Sequence, residues 1–91
     1  MVDHARISEA ILDLTARRGA GRTLCPSEVA RALGGAAWRP LMPAVREAAR
    51  VLAATGRITV TQSGRVLSPD GPWRGPIRLT TGRIPEERDE P

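Results

Sequence analysis

Glycines cut this chain into short lengths: Gly19 and Gly21, the pair Gly34-Gly35, Gly56 and Gly64 each interrupt a run of patterned apolar residues. Glycine closes helices and tight turns because it enters the left-handed region without steric cost. Before Gly56 the pattern inside each length is helical. Ile7, Ala10, Ile11 and Leu14 recur at i, i+3, i+4 and i+7, with Asp3 available as a cap, which predicts a first helix over residues 5–18. Thr23-Leu24-Cys25 is too short for anything but a bridge or a very short strand. In "CPSEVARALGG" a proline stands in a first-turn position, an acid lies behind it and a double glycine follows, which predicts a second helix of about two turns with Val29, Ala30 and Leu33 on one face. After a Gly34-Gly35-Ala36-Ala37 turn, "WRPLMPAVREAAR" opens a third helix. Its prolines, Pro40 and Pro43, are confined to the start, and Leu41, Val45, Ala48, Ala49 and Leu52 line its apolar side.

Past Gly56 the period becomes two. Ile58 and Val60 alternate with Arg57, Thr59 and Thr61, the chain turns on Ser63-Gly64 and Val66 resumes the alternation, the pattern of a β-hairpin. "PDGPWRGP" is a loop by its proline and glycine content, and "PIRLT" can return as a further strand through Ile77 and Leu79. Helix, short extended piece, helix, helix, hairpin is the order of a winged helix-turn-helix, an α+β fold, here expected over residues 1–80. Residues 81–91, TGRIPEERDEP, are expected to form an acidic, unstructured tail.

Size and composition agree with one small folded domain. Ninety-one residues bury only ~60–65% of their unfolded surface, so the core is small. The chain is 41% hydrophobic and 26% charged, ordinary values for a globular body. Its apolar runs fall short of the ~20 residues that span a bilayer, and the first residues lack the apolar core of a signal peptide, so a cytoplasmic location without membrane contact is expected. Cys25 is the only cysteine, which excludes an internal disulfide and a cysteine-based zinc site.

Charge is distributed unevenly. All fourteen basic residues are arginine, a choice that genomic base composition can produce by itself. Of these, residues 1–80 hold twelve against six acids, net +6, while residues 81–91 hold two against four, net −2. The body therefore favours anionic partners.

In a helix-turn-helix the second helix of the pair enters the major groove. Arg39, Pro43, Arg46 and Arg50 advance along the third helix by three or four residues at a time, with Arg57 just beyond, and this spacing predicts one stripe opposite Val45, Ala49 and Leu52. Arg46 and Arg50 at i, i+4 repel, which a phosphate backbone would reverse and which Glu47 can partly relieve in a solvated face with no ligand. Gln62, Ser63 and Arg65 occupy the hairpin tip where a wing reaches DNA. The expected contacts are Arg39, Arg46 and Arg50, supported by Arg57 and Arg65. On a purely outward stripe, replacing Arg46 and Arg50 by Glu abolishes duplex binding and leaves the melting temperature near its original value.

No other chemistry is recognisable. A Walker loop, a dinucleotide glycine pattern and a carboxylate cluster for a metal are missing from the sequence, Cys25 has no catalytic neighbour and reads as a small residue near a helix cap, and His4 falls in the frayed start of the chain. Neither an enzyme nor a cofactor is expected. Phe and Tyr are absent, which disfavours the aromatic sheets that bind single strands, so duplex DNA is the nucleic acid expected. The competing expectation is a protein-interaction module that docks on an acidic protein with Trp73 as its anchor and the arginines as rim charge. A further possibility is that the PEERDE tail folds back on the basic face and restrains binding.

"TLCPSEVARAL", "WRPLMPAVREAARVLAATGRITVTQSGRV" and "GPIRL" together resemble the small bacterial family filed as domain-of-unknown-function family 3253. The likeness covers roughly residues 7–80. It implies a winged-helix-like fold and no activity, since the family carries none to transfer.

Overall fold

The structure, a computed structural model, describes residues 2–82. Three helices come first: α1 (His4–Arg18), α2 (Pro26–Gly34) and α3 (Met42–Ala54), the last preceded by two 3-10 turns at Gly35–Ala37 and Arg39–Leu41. Three strands follow, β1 (Ile58–Gln62), β2 (Arg65–Val66) and β3 (Arg78–Thr81), in an antiparallel sheet ordered β2-β1-β3. This is the expected α+β class, three helices and then a hairpin with a further strand, an arrangement compatible with a winged helix.

Local chemistry accounts for each boundary. Asp3 caps α1 by accepting the Arg6 N–H at 2.9 Å, and Gly19, at φ +99°, ends it. Pro26 sits at the first position of α2, where its missing N–H costs nothing, and the Glu28 carboxylate reaches back to the Cys25 N–H at 3.0 Å. Gly35, at φ +56° and ψ −128°, breaks α2 in a conformation closed to residues with a Cβ. The α-helical part of the third helix begins later than the periodicity suggests, at Met42. Pro40 removes one donor, so residues 39–41 close as a tighter turn, and Pro43 then takes an early position in α3.

The short extended piece between α1 and α2 is a strand in miniature. Leu24 and Leu79 exchange two backbone hydrogen bonds of 2.8 Å, which places Leu24 beyond β3 at the far edge of the sheet from β2. One core then forms from both layers: Ile7 and Ile11 of α1, Val29 and Ala30 of α2, Val45, Ala48, Ala49 and Leu52 of α3, and Ile58, Val60 and Leu79 of the sheet, with Leu24, Trp73 and Ile77. A side chain as buried as Ile11 contributes about 1.5–3 kcal/mol, and truncating it to alanine costs about 2–5 kcal/mol once the cavity is included. Four threonines are also buried among the described residues, Thr15, Thr59, Thr61 and Thr80, although the alternation set Thr59 and Thr61 against the apolar positions of β1. Thr15 is fully buried because its hydroxyl donates to the Ile11 carbonyl at 2.8 Å, one helical turn back, which leaves it no unmet donor. Leu14, expected on the apolar face, is half-buried.

A second knot of polar contacts locks α1, α2 and the sheet edge. Arg18 donates to the Glu28 carboxylate at 2.5 Å and to the Thr23 carbonyl at 2.9 Å, while Arg78 donates to the Thr23 hydroxyl at 3.0 Å. The Cys25 N–H, and the guanidinium of Arg18 after it, hold the Glu28 carboxyl below the ordinary glutamate pKa.

Candidate nucleic-acid interface

The hairpin between β1 and β2 is short. Ser63 and Gly64, at φ +51° and +82°, make a two-residue turn, and only Thr61↔Val66 and Gln62↔Arg65 pair across it. Beyond Val66 the chain does not project as a free wing. Residues 67–77 double back along α3 before the chain re-enters the sheet as β3 on the opposite side of β1.

The composition of that loop explains what holds it. Pro69, Pro72 and Pro76 have no N–H, and Gly71 and Gly75 bring no side chain, so the segment offers carbonyls without a ladder to satisfy them. Arg50 donates from Nη1 to the carbonyls of Pro69 and Gly71, at 2.6 and 2.7 Å. Arg46 donates from Nη2 to the Trp73 carbonyl at 2.6 Å and from Nη1 to that of Gly75 at 3.4 Å. Gln62, at the end of β1, donates to the carbonyls of Arg74 and Pro76. Inside this frame lies Trp73, 8% exposed, whose Nε1–H donates to the Ser68 carbonyl at 2.9 Å and whose ring is covered by the Arg50 guanidinium at 4.2 Å from the centroid. Trp73 is a packed side chain here, and the anchor expected of it in an interaction surface is buried.

The five arginines singled out in the sequence therefore fall into separate settings. Arg46 and Arg50 lean off the outer face of α3 onto the loop, half-buried. Arg39 lies over the Trp38 ring, 4.8 Å from its centroid. Arg57, exposed, stands at the opposite end of α3, and Arg65, exposed, is on β2. The single outward stripe anticipated from helical spacing does not form, because the loop carbonyls compete for its two central guanidinium groups. Nor is Arg50 relieved by Glu47: the exposed residues of α3 are Pro43, Glu47, Val51 and Ala54, and Glu47 makes no ion pair among the described residues.

Two groupings replace the stripe. Arg74 is exposed between Trp73 and Gly75, whose carbonyls Arg46 holds, so the two cations share one stretch of chain. Arg65 faces Gln62 across the ladder, and register partners emerge on one side of a ribbon, here the side on which Gln62 meets residues 74–76. Arg46, Arg50 and Gln62 thus hold the loop that carries Arg74, with Arg65 paired to Gln62 at the hairpin end. The other grouping, at the turn between α2 and α3, brings Arg31 to 4.5 Å and Arg39 to 4.8 Å from the Trp38 centroid. Sequence reasoning missed Arg31 and the clamping role of Gln62. A proline- and glycine-rich loop with orphan carbonyls was the available sign that nearby donors would be drawn to it; nothing in the spacing links Arg31 to Trp38.

These charges are largely uncompensated. Among the described residues only Arg17 and Arg18 have a carboxylate within 4.0 Å, those of Asp13 and Glu28. Arginine on a carbonyl keeps its full charge, so the clamps fix the position of the positive field and leave its strength intact. Residues 83–91 of the acidic tail, and with them the expected restraint on the basic face, lie outside the described residues. No group of three or more metal-ligating side chains occurs among the described residues, and no helix there is long and apolar enough to cross a membrane.

Comparison with curated proteins finds no match. A family match, by contrast, runs over residues 4–82, from the first residue of α1 to the residue after β3, and so takes in every element and both arginine groupings. The chain belongs to the family described as protein of unknown function (DUF3253).

Proposed function

We propose that the chain binds duplex DNA, in the service of transcriptional regulation, through backbone phosphates rather than base edges. The observation that carries this reading is the charge balance: residues 1–80 hold net +6, and among the described residues only two arginines are paired with carboxylates. Such a body neutralises phosphates and releases counterions. Arg65 and Arg74 at the hairpin and loop, and Arg39 at the turn, are the contacting groups. Arg46 and Arg50 set the loop and add charge behind it, and Arg57 extends the surface at the other end of α3. The outward residues of α3 include a single base-reading side chain, Glu47, which can accept from cytosine, so sequence discrimination is weak.

The interaction reading has less support. Among the described residues Val51 and Val66, 44% and 48% exposed, are the exposed large apolar side chains, and single exposed apolar residues are ordinary. Fluorescence anisotropy of a labelled mixed-sequence duplex, measured as salt is raised, tests the proposal. Affinity falls with a log–log slope of about −0.9 per phosphate contacted. The double variant Arg65→Gln/Arg74→Gln flattens that slope by up to about 2 without changing the melting temperature. Salt-independent binding, or none at low salt, refutes it.

A further inference from the structure

Trp38 sits between the two 3-10 turns that join α2 to α3, half-buried against the edge of the core, and two guanidinium groups rest on it. Arg31 comes from the C-terminal part of α2 and Arg39 from the start of the second 3-10 turn, with their central carbons 4.5 and 4.8 Å from the ring centroid. The two carbons are thus no farther apart than the sum of those distances. Neither has a carboxylate within 4.0 Å among the described residues. The indole attracts each cation and holds it in place, but it removes neither charge. Two like charges on one indole, no farther apart than that sum, are stabilised by an anion that accepts from both. The planar fork of arginine matches the oxygens of a phosphate, and the N-terminal end of α3, three residues past Arg39, adds partial positive charge to the same region.

We propose that Arg31 and Arg39, set in position by Trp38, form a phosphate site at the helix-turn-helix turn that takes one backbone phosphodiester of the duplex. The source of that phosphate rests on the duplex-binding reading; the anion site does not. Because the site grips a backbone group, it adds affinity without sequence preference. Arg31 becomes a contact of the same standing as Arg39, and Trp38 becomes a positioning residue whose loss frees the two side chains.

The two dependencies separate in one set of experiments on the full chain. Inorganic phosphate is titrated against sodium chloride at matched ionic strength while the arginine Nε–H signals are followed by nuclear magnetic resonance. The Arg31 and Arg39 signals are expected to shift with phosphate, and that of Arg17, already paired with Asp13, to stay. In Trp38→Leu the phosphate response of both arginines weakens although each is still present. In parallel, Arg31→Gln/Arg39→Gln flattens the salt slope of duplex binding by about 0.9, equally on two unrelated sequences, whereas Arg17→Gln leaves it unchanged. No phosphate-specific shift overturns the site. An unchanged slope in the double variant, with wild type binding, overturns its assignment to the duplex. A phosphate shift in a protein that binds no duplex keeps the anion site and removes the DNA reading.

Discussion

Replacing Arg50 by methionine keeps most of the aliphatic stem against α3 and deletes the guanidinium, and its effect can be worked from the contacts. Two carbonyls, of Pro69 and Gly71, lose a charged donor at 2.6 and 2.7 Å, and the Trp73 ring loses a cation at 4.2 Å. A hydrogen bond to a charged group contributes about 1.5–3 kcal/mol and a cation–π contact about 0.5–2 kcal/mol. Both bonds leave from one nitrogen and count together as about one bond, and because the site is only part-buried the lower parts of both ranges apply. The expected cost is about 2–3 kcal/mol out of a total stability of about 5–14 kcal/mol for a chain this size. For a small domain that corresponds to a fall in melting temperature of about 10–20 °C. Circular dichroism on heating measures it, and the Trp73 indole signal, followed by NMR, reports whether the loop has left α3. A fall of less than about 3 °C with that signal unmoved would show that the loop keeps its place without Arg50, and the clamp assignment would be wrong. The same reasoning reverses the expectation that Arg46 and Arg50 can be exchanged for glutamate at constant stability: two carboxylates facing loop carbonyls repel them. Loss of DNA binding in such a variant would not separate contact from unfolding, which is why Arg65 and Arg74 are the substitutions of choice.

Two further outcomes follow from other parts of the fold. The pKa of Glu28 is lowered in the folded state, chiefly by the Cys25 N–H and then by Arg18, so its contribution is present above the ordinary glutamate value and fades as pH falls through the lower folded one. In Glu28→Gln, the loss of stability on acidification over that window is smaller than in wild type, as read from urea midpoints across pH; parallel curves would contradict the assignment. Gly35→Ala places a Cβ at φ +56° and ψ −128° and costs about 1–3 kcal/mol, visible as a lower urea midpoint with an unchanged m-value; equal midpoints would show that α2 can end another way.

Much of the architecture was legible residue by residue. Asp3 and Gly19 bound α1 as caps do anywhere, Pro26 and the glycine pair bound α2, and the change from helical to alternating period after Gly56 marked where helices give way to strands, because each signal is a local steric or hydrogen-bonding preference. Net charge and the choice of duplex over single strand as the partner to test also came from composition by itself. Local preference has no access to partners distant in the chain. Nothing near Arg46 and Arg50 in sequence announces that carbonyls 19 to 29 residues away will claim them. Nothing near Trp38 announces that Arg31 will fold over it, and the pairing of Leu24 with Leu79 depends on the whole sheet. Helical periodicity says which side of α3 faces away from the core. Only the tertiary structure decided that a proline-rich loop, short of hydrogen-bond donors, would lie against that side and turn an outward row of arginines into its clamp.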